Sequence, residues 1–305
     1  MIRFFYERVV LARKKNLFYW RFLYKVNKAI VNLVYPMTQR GNKQCGTDPQ
    51  GNMIVSLTTY PARIHEVWKT ISTLMNQTRK PKRIILWLAE SQFPDHQLPE
   101  SILRLEKRGL EIQYCEDFRP HKKYFETMKR YPEDIVVTAD DDMFYPENHL
   151  EKLWRVHEDY PDAVLCQWSH KITFTKEGQF IPYNDWPDNG REEPSYATLA
   201  VGCGGILYPP GALHEEAFHT ELVRGEVLNV DDLWLKCMEI LNGIKAMNCN
   251  ETVLGYFSVL SIGKAGLWLS NTGEEHHNDH VWESLMKRYP LVRERLWQEY
   301  NEEQL

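Results

Sequence analysis

Nowhere in the 305 residues do apolar positions run uninterrupted for the roughly 18 residues that a membrane-spanning helix needs. A spanning protein is therefore not expected. The chain also lacks any Cys-x-x-Cys pair. Its six cysteines, Cys45, Cys115, Cys166, Cys203, Cys237 and Cys249, are scattered, and Cys115, Cys166 and Cys249 fall in or beside strand-like runs. That usage argues for reduced thiols in a cytosolic protein and against a disulfide framework or a zinc site. There is no internal repeat and no low-complexity tract. Gly202, Gly204 and Gly205 are not spaced as a dinucleotide loop, which weakens an oxidoreductase reading. No histidine-and-aspartate cluster stands early in the chain to suggest a metal-dependent hydrolase. What the sequence does hold is 43% hydrophobic and 12% aromatic residues, enough to bury a substantial core in one large domain or one domain with appendages.

The net charge of −5 hides an asymmetry, because residues 1–40 hold nine Lys or Arg against Glu7 alone, a local +8 that leaves −13 on the other 265. In that segment Phe4, Phe5, Tyr6, Leu11, Phe18, Tyr19, Trp20 and Phe22 interleave with Arg8, Arg13, Lys14, Lys15, Arg21 and Lys25. The pattern predicts a helical arm suited to an anionic membrane surface, with a helix docked on the body as the alternative. Charges throughout and the lack of a small-residue cleavage site argue against a signal peptide. The acidic remainder would repel phosphates, so no nucleic-acid partner is expected. Residues 41–52 are polar and turn-rich and read as a linker, with the body spanning 53–305.

Strand-like runs at 53–57, 84–89, 110–115 and 134–139 alternate with helical spacings over 64–75, 99–108 and 123–131. Such alternation predicts an α/β fold, a mostly parallel, Rossmann-like sheet with helices on both faces. The later half is less regular. A helix is expected near 147–159, strands near 163–168 and 171–175, a loop over about 179–199, a strand at Ile206-Leu207-Tyr208 and a helix after Asp231-Asp232. Ligands of open sheets bind beyond the carboxyl ends of the strands, where Thr58-Thr59-Tyr60 and Asp140-Asp141-Asp142 both fall.

Three adjacent aspartates repel one another and raise one another's pKa, so a cation among them is the natural compensation. A helix-capping acidic turn is the plainer reading of the same triplet. Hard carboxylate oxygens suit Mg²⁺ or Mn²⁺. Asp140 and Asp142 lie two apart, so on an extended chain they face one side and suit a shared ion. Which two of the three hold it stays open.

Together, Ile54-Val55-Ser56-Leu57-Thr58-Thr59-Tyr60-Pro61-Ala62-Arg63-Ile64, His121-Lys122-Lys123-Tyr124, the DxD-like Asp140-Asp141-Asp142, the run from Gly202 to Pro210 and Asp231-Asp232-Leu233-Trp234 resemble bacterial glycosyltransferases of the GT-A fold, similar to family 2. The resemblance covers roughly residues 53–280. It implies a transferase that moves a hexose from a nucleoside-diphosphate sugar, a UDP-sugar first among them, to a glycan or glycolipid acceptor. The setting it implies is bacterial envelope polysaccharide synthesis (lipopolysaccharide, O-antigen or capsule), in the cytoplasm or peripherally on the inner face of the membrane.

By the same resemblance, Thr58, Thr59 and Tyr60 would meet base and ribose. Arg63 follows on the first helical turn, placed to meet the diphosphate, and Lys122 and Lys123, 17 to 20 residues before the carboxylates, are placed to reach the same nucleotide-sugar cleft from the neighbouring strand's loop. Asp140 and Asp141 would contact the sugar nucleotide, and Asp140 and Asp142 the metal. Asp232 would be the base that takes the acceptor proton. The chain departs from the family in having Asp-Asp for the usual Glu-Asp and no evident Arg/Gln-x-x-Arg-Trp element downstream. Trp186 is a candidate acceptor platform or an aromatic plug. His276-His277-Asn278-Asp279-His280 reads as a polar loop that could lend a metal ligand. The rival classes are a non-catalytic glycan- or nucleotide-binding module and a metal-dependent nucleotidyltransferase or phosphohydrolase.

Overall fold

The computed structural model describes residues 1–39, 41–252, 254–260 and 277–304. Two helices open the chain, α1 (Ile2–Lys14) and α2 (Trp20–Thr38). Then β1 (Met53–Thr58), α3 (Val67–Met75), β2 (Arg83–Ala89), α4 (Glu100–Glu106), β3 (Leu110–Cys115), α5 (Lys122–Arg130) and β4 (Ile135–Ala139) follow in alternation. The second half holds β5 (Met143–Phe144), α6 (His149–Asp159), β6 (Val164–Cys166), β7 (Ser169–Lys171), β8 (Thr198–Ala200), β9 (Ile206–Tyr208), α7 (Thr220–Val223), α8 (Asp231–Leu241), β10 (Ala246–Asn248) and β11 (Phe257–Ser258). Two further helices are α9 (His277–Arg288) and α10 (Pro290–Glu303).

Seven strands form the central sheet in the order β10-β6-β9-β4-β1-β2-β3. All neighbours are parallel except β9, which runs antiparallel to both β4 and β6. Parallel strands covered on both faces must be apolar on both, which is why β1 and β2 read as continuous hydrophobic runs. Val55, Leu57 and Leu86 enter one core, while Ile54, Ile85 and Trp87 point to the opposite face. On that second face the buried Trp87 donates its indole N–H to Thr127 Oγ1 of α5 at 2.7 Å.

The N-terminal helices share the core of the sheet. Ile2, Tyr6, Val9, Val31 and Tyr35 belong to the same buried cluster as Val55 and Leu57. Tyr6 donates its hydroxyl to Leu254 O at 2.5 Å, and Asn27 Nδ2 ties α2 to Phe5 O of α1 at 3.0 Å. No helix among the described residues is long and apolar enough to cross a membrane.

Where the structure differs from the pattern, the elements are short or their turn chemistry misleads. The strand expected at 171–175 is instead the three-residue β7, pairing antiparallel with β8, which lies at the end of the stretch read as loop. Residues 277–280 are not loop but the first turn of α9. Val281, Trp282, Leu285 and Met286 are buried at helical spacing behind that polar start, and Pro290 opens α10 at a position where its missing N–H costs nothing. His276 lies outside the described residues.

Candidate active site

Strands β1 and β4 pair in register, with Leu57 opposite Ala139, so Thr58 and Asp140 leave the sheet side by side. Above them opens a cavity of about 910 Å³. Thr58, Thr59, Tyr60, Arg63, Lys122, Lys123, Asp140, Asp141, Asp142 and Asp232 all line it. The residues singled out from sequence thus converge on one concavity at the carboxyl edge of the sheet.

The three aspartates point different ways. Asp141 turns inward, where its carboxylate accepts from Thr59 Oγ1 at 2.5 Å and from Arg63 Nη1 at 2.5 Å, and its carbonyl accepts from Thr70 Oγ1 at 2.9 Å. Its flanking neighbours stay partly open, with side chains 32% (Asp140) and 24% (Asp142) exposed. Arg63 also reaches Asp142 Oδ2 at 3.1 Å and lies over the Tyr60 ring. One guanidinium against this acidic run is too little. Burial first, then Asp141 and Asp140, push the Asp142 carboxyl up to about 7 despite Arg63. Thr58 gives its hydroxyl to Trp87 O at 2.8 Å, locking the end of β1 to β2.

Lys123 joins this acidic turn to the second acidic pair. Its ammonium lies 2.8 Å from Asp140 Oδ1 and 2.8 Å from Asp231 Oδ2, with only 5% of the side chain exposed. Burial opposes that charge, yet Asp140, Asp231 and Asp232 outweigh it and hold the proton affinity of Lys123 well above its ordinary value. Burial would raise Asp231 too, but the Lys123 ammonium beside it keeps it below the usual carboxylate range. Among the described residues Asp232 has no such direct cationic partner. Burial and the adjacent Asp231 push it up to about 8, although the Gly202 N–H donates to its oxygens at 3.1 and 3.2 Å. A side chain at Gly202 would crowd this approach, because a Cβ there would stand 2.9 Å from both Asp232 Oδ1 and Lys123 Nζ and displace them.

The residues flanking Lys123 hold that geometry. His121 is buried, driven down to about 4 chiefly by burial, and its neutral ring donates from Nε2 to Val227 O at 2.8 Å. Tyr124 donates to Ala217 O at 3.0 Å and accepts from Trp234 Nε1 at 3.1 Å. Helix α5 is thereby stitched to the segment leading into α8. Lys122 bonds Asp117 Oδ1 at 2.6 Å, and the same carboxylate oxygen accepts from the Arg119 N–H at 2.9 Å. Arg119 takes a positive φ of 52° and also lines the cavity. Held-open backbone of this kind is strained and tolerated where a site demands it.

Sequence reasoning did not single out Gln92, Arg119, Trp168, His170 or Tyr183, all of which line the cavity. Only proximity to the His121-Lys122-Lys123-Tyr124 run could have flagged Arg119; the others come from short strands and loops without a periodic signature. Trp168 packs where Gly204 and Gly255 have no side chain, since a Cβ on either would stand within 2.7 Å of it. Trp186 is 4% exposed, donates to Ile181 O at 2.9 Å and packs on Tyr183 and Trp282, so it behaves chiefly as a plug at the cavity wall. From the described part of the histidine-rich run, Asn278 alone faces the cavity.

Among the described residues no group of three or more His, Cys, Asp or Glu side chains stands at metal-ligand spacing. A divalent cation here would take one or two carboxylates from the protein and its remaining ligands from substrate and water, a donor set that suits Mg²⁺ or Mn²⁺. The half-open, proton-hungry Asp142 fits that arrangement, because a cation would replace the proton it otherwise holds. Added Mn²⁺ should therefore raise the melting temperature more as pH rises through about 7. The shift should be on the order of 5 °C at a hundredfold excess over the dissociation constant. Differential scanning calorimetry checks this, and a shift independent of pH, or one retained in Asp142→Asn, would contradict it.

No family model matches the sequence, and no curated protein matches it. Solved structures with which it aligns include the mannosyltransferase PcManGT from Pyrobaculum calidifontis in complex with GDP-Man and Mn²⁺, at 12% identity and a TM-score of 0.45 over 95% of this chain and 81% of that one. TarS 1–349 of S. aureus aligns at 15% identity and a TM-score of 0.41, over 78% and 71% of the two chains. CMP:2-keto-3-deoxy-manno-octonic acid synthetase complexed with CTP aligns at 10% and 0.37, over 65% and 88%.

Proposed function

We propose that this protein is a GT-A glycosyltransferase that moves a hexose from a nucleoside-diphosphate sugar, a UDP-sugar first among candidates, to a glycan or glycolipid acceptor. The observation that carries the reading is the single cavity in which Lys123 bridges the Asp140–Asp142 turn to Asp231-Asp232. One half offers cations and open carboxylates for a diphosphate. The other offers a carboxylate with raised proton affinity, as a general base near neutral pH needs.

In this reading Thr59 and Tyr60 flank the base and ribose, and Arg63, Lys122 and Arg119 face the diphosphate. Asp140 and Asp142 would hold Mn²⁺ or Mg²⁺, which when bound supplies positive charge to the leaving diphosphate. Asp141 acts indirectly, fixing Thr59 and Arg63 in place. The acceptor hydroxyl attacks the anomeric carbon, a new C–O bond forms, the bond to the diphosphate breaks and Asp232 takes the hydroxyl proton. Direct displacement of this kind inverts the anomeric carbon. Trp168, His170 and Tyr183 form the remaining wall, where an acceptor sugar would rest. Bacterial envelope polysaccharide assembly is the setting that the sequence resemblance implies.

The test is to incubate purified protein with a panel of sugar nucleotides and Mn²⁺ and to measure nucleoside diphosphate release. Turnover of one donor, with Asp142→Ala inactive, is expected. Release of sugar 1-phosphate alone would favour the nucleotidyltransferase reading, and release of nucleoside monophosphate with sugar 1-phosphate, or of free phosphate, the hydrolase reading.

A further inference from the structure

The outer surface of the first two helices has no counterpart among the described residues. Its exposed large hydrophobics include Phe18 at 95%, Phe22 at 70% and Leu33 at 67%, with Phe4, Leu11, Val26 and Met37 also open to solvent. On α2, Phe22, Val26, Leu33 and Met37 recur at helical spacing and form one stripe, because residues four and seven apart share a face. Arg21 and Lys25 border it, while Arg8 on α1 and Lys15 just past its end are exposed. The opposite face is fully used by the body. Tyr24 donates to Tyr256 O at 2.9 Å, Asn32 Nδ2 to Ser258 O at 3.0 Å, and Asn32 Oδ1 accepts from Leu260 N at 2.8 Å. The stripe is therefore not a core face awaiting its own fold.

An apolar strip of this size beside water costs free energy unless a partner covers it. Its basic border selects the partner's charge. A protein groove would need matching acidic side chains, whereas a bilayer with anionic headgroups accepts aromatic and aliphatic side chains and lysines in the same plane. We infer that the outer face of α1 and α2 is a docking surface for an anionic lipid bilayer. The placement has a consequence for the cavity. Val259 N donates to Asp142 O at 2.7 Å, so among the described residues α2 and the segment it grips lie between the stripe and the acidic turn. A docked bilayer would lie about one helix diameter, some 10 Å, from that turn, within reach of an acceptor carried on lipid. The docking surface itself does not depend on the glycosyl-transfer reading.

Vesicle flotation of the full chain tests it without any sugar nucleotide, so a failed donor assignment leaves the result untouched. The protein is expected to float with phosphatidylcholine vesicles containing phosphatidylglycerol, far less with phosphatidylcholine alone, and less in high salt. Replacing Lys15, Arg21 and Lys25 together by glutamine should weaken partitioning roughly a hundredfold, three charges' worth at the surface. The triple variant Phe18→Asp, Phe22→Asp, Leu33→Asp should no longer float while its melting temperature stays that of the parent, because these side chains are exposed. Failure of the parent to float with anionic vesicles, or undiminished flotation of the aspartate variant, would overturn the proposal. So would a parent dimer that the aspartate variant splits into monomers, which would mean that a second copy covers the stripe.

Discussion

Replacing Lys123 by methionine is expected to destabilise the protein by about 3–5 kcal/mol, the usual cost of leaving buried charge without its partner, and to abolish donor turnover. Lys123 is the direct cationic partner of both Asp140 and Asp231, and without it the largely buried Asp231 and Asp232 face each other and the half-open Asp140 with no cation between them. Protons would supply the missing positive charge. The deficit should therefore be largest at alkaline pH, where the unpaired carboxylates are ionised in the unfolded chain but costly to ionise in the native one, and should shrink as pH falls. Urea denaturation of both proteins on either side of neutrality measures it. A deficit under about 1 kcal/mol, the range of a solvated surface pair, would show that Lys123 does not hold the two acidic elements together.

Asp232→Asn should lower the transfer rate by 10²–10⁴-fold, the range for loss of a general base, and leave donor binding nearly intact. Asparagine keeps the size of the side chain and the Gly202 contact but cannot take a proton. The parent should show kcat/KM climbing with pH through about 8, because only the ionised form of Asp232 accepts a proton and burial holds it protonated below that point. The variant should lack that limb. Steady-state rates across pH decide the matter, and a variant as fast as the parent, or with the same limb, would remove Asp232 from the chemistry.

The raised carboxyls also set a sign for stability. Asp142 and Asp232 bind protons more tightly in the native state than in the unfolded chain, so their contribution is greatest in acid. It declines as pH rises from about 4, the unfolded value, through about 7 and about 8. This is stability given up at a site arranged for charge, as functional sites commonly do.

Much of the first half was legible because its strands are long, parallel and covered on both faces. Runs such as Ile84-Ile85-Leu86-Trp87-Leu88-Ala89 have no other plausible place. The same logic put Thr58 and Asp140 at one edge, since parallel strands end on the same side. The three-residue strands β7 and β8 carry too few residues for any period to show, and the polar start of α9 concealed a helix whose apolar face begins only at Val281. The arrangement within the site was illegible for a different reason. A sequence shows that Lys122 and Lys123 carry charge but not which carboxylate each meets. In the fold one is tied to Asp117 and the other to Asp140 and Asp231. Likewise, the side chain of Asp141 is engaged by Thr59 and Arg63, partners 82 and 78 positions away, while Asp140 and Asp142 stay partly exposed. The N-terminal helices α1 and α2 pack their inner face into the same core as the sheet.

Isothermal titration of a UDP-sugar into the protein, with and without Mn²⁺, tests the central claim most directly. The account expects binding that needs the cation and is lost in Asp142→Asn, while Asp232→Asn still binds. Cation-independent binding that survives Asp142→Asn, or no binding of any nucleoside-diphosphate sugar under these conditions, would contradict it.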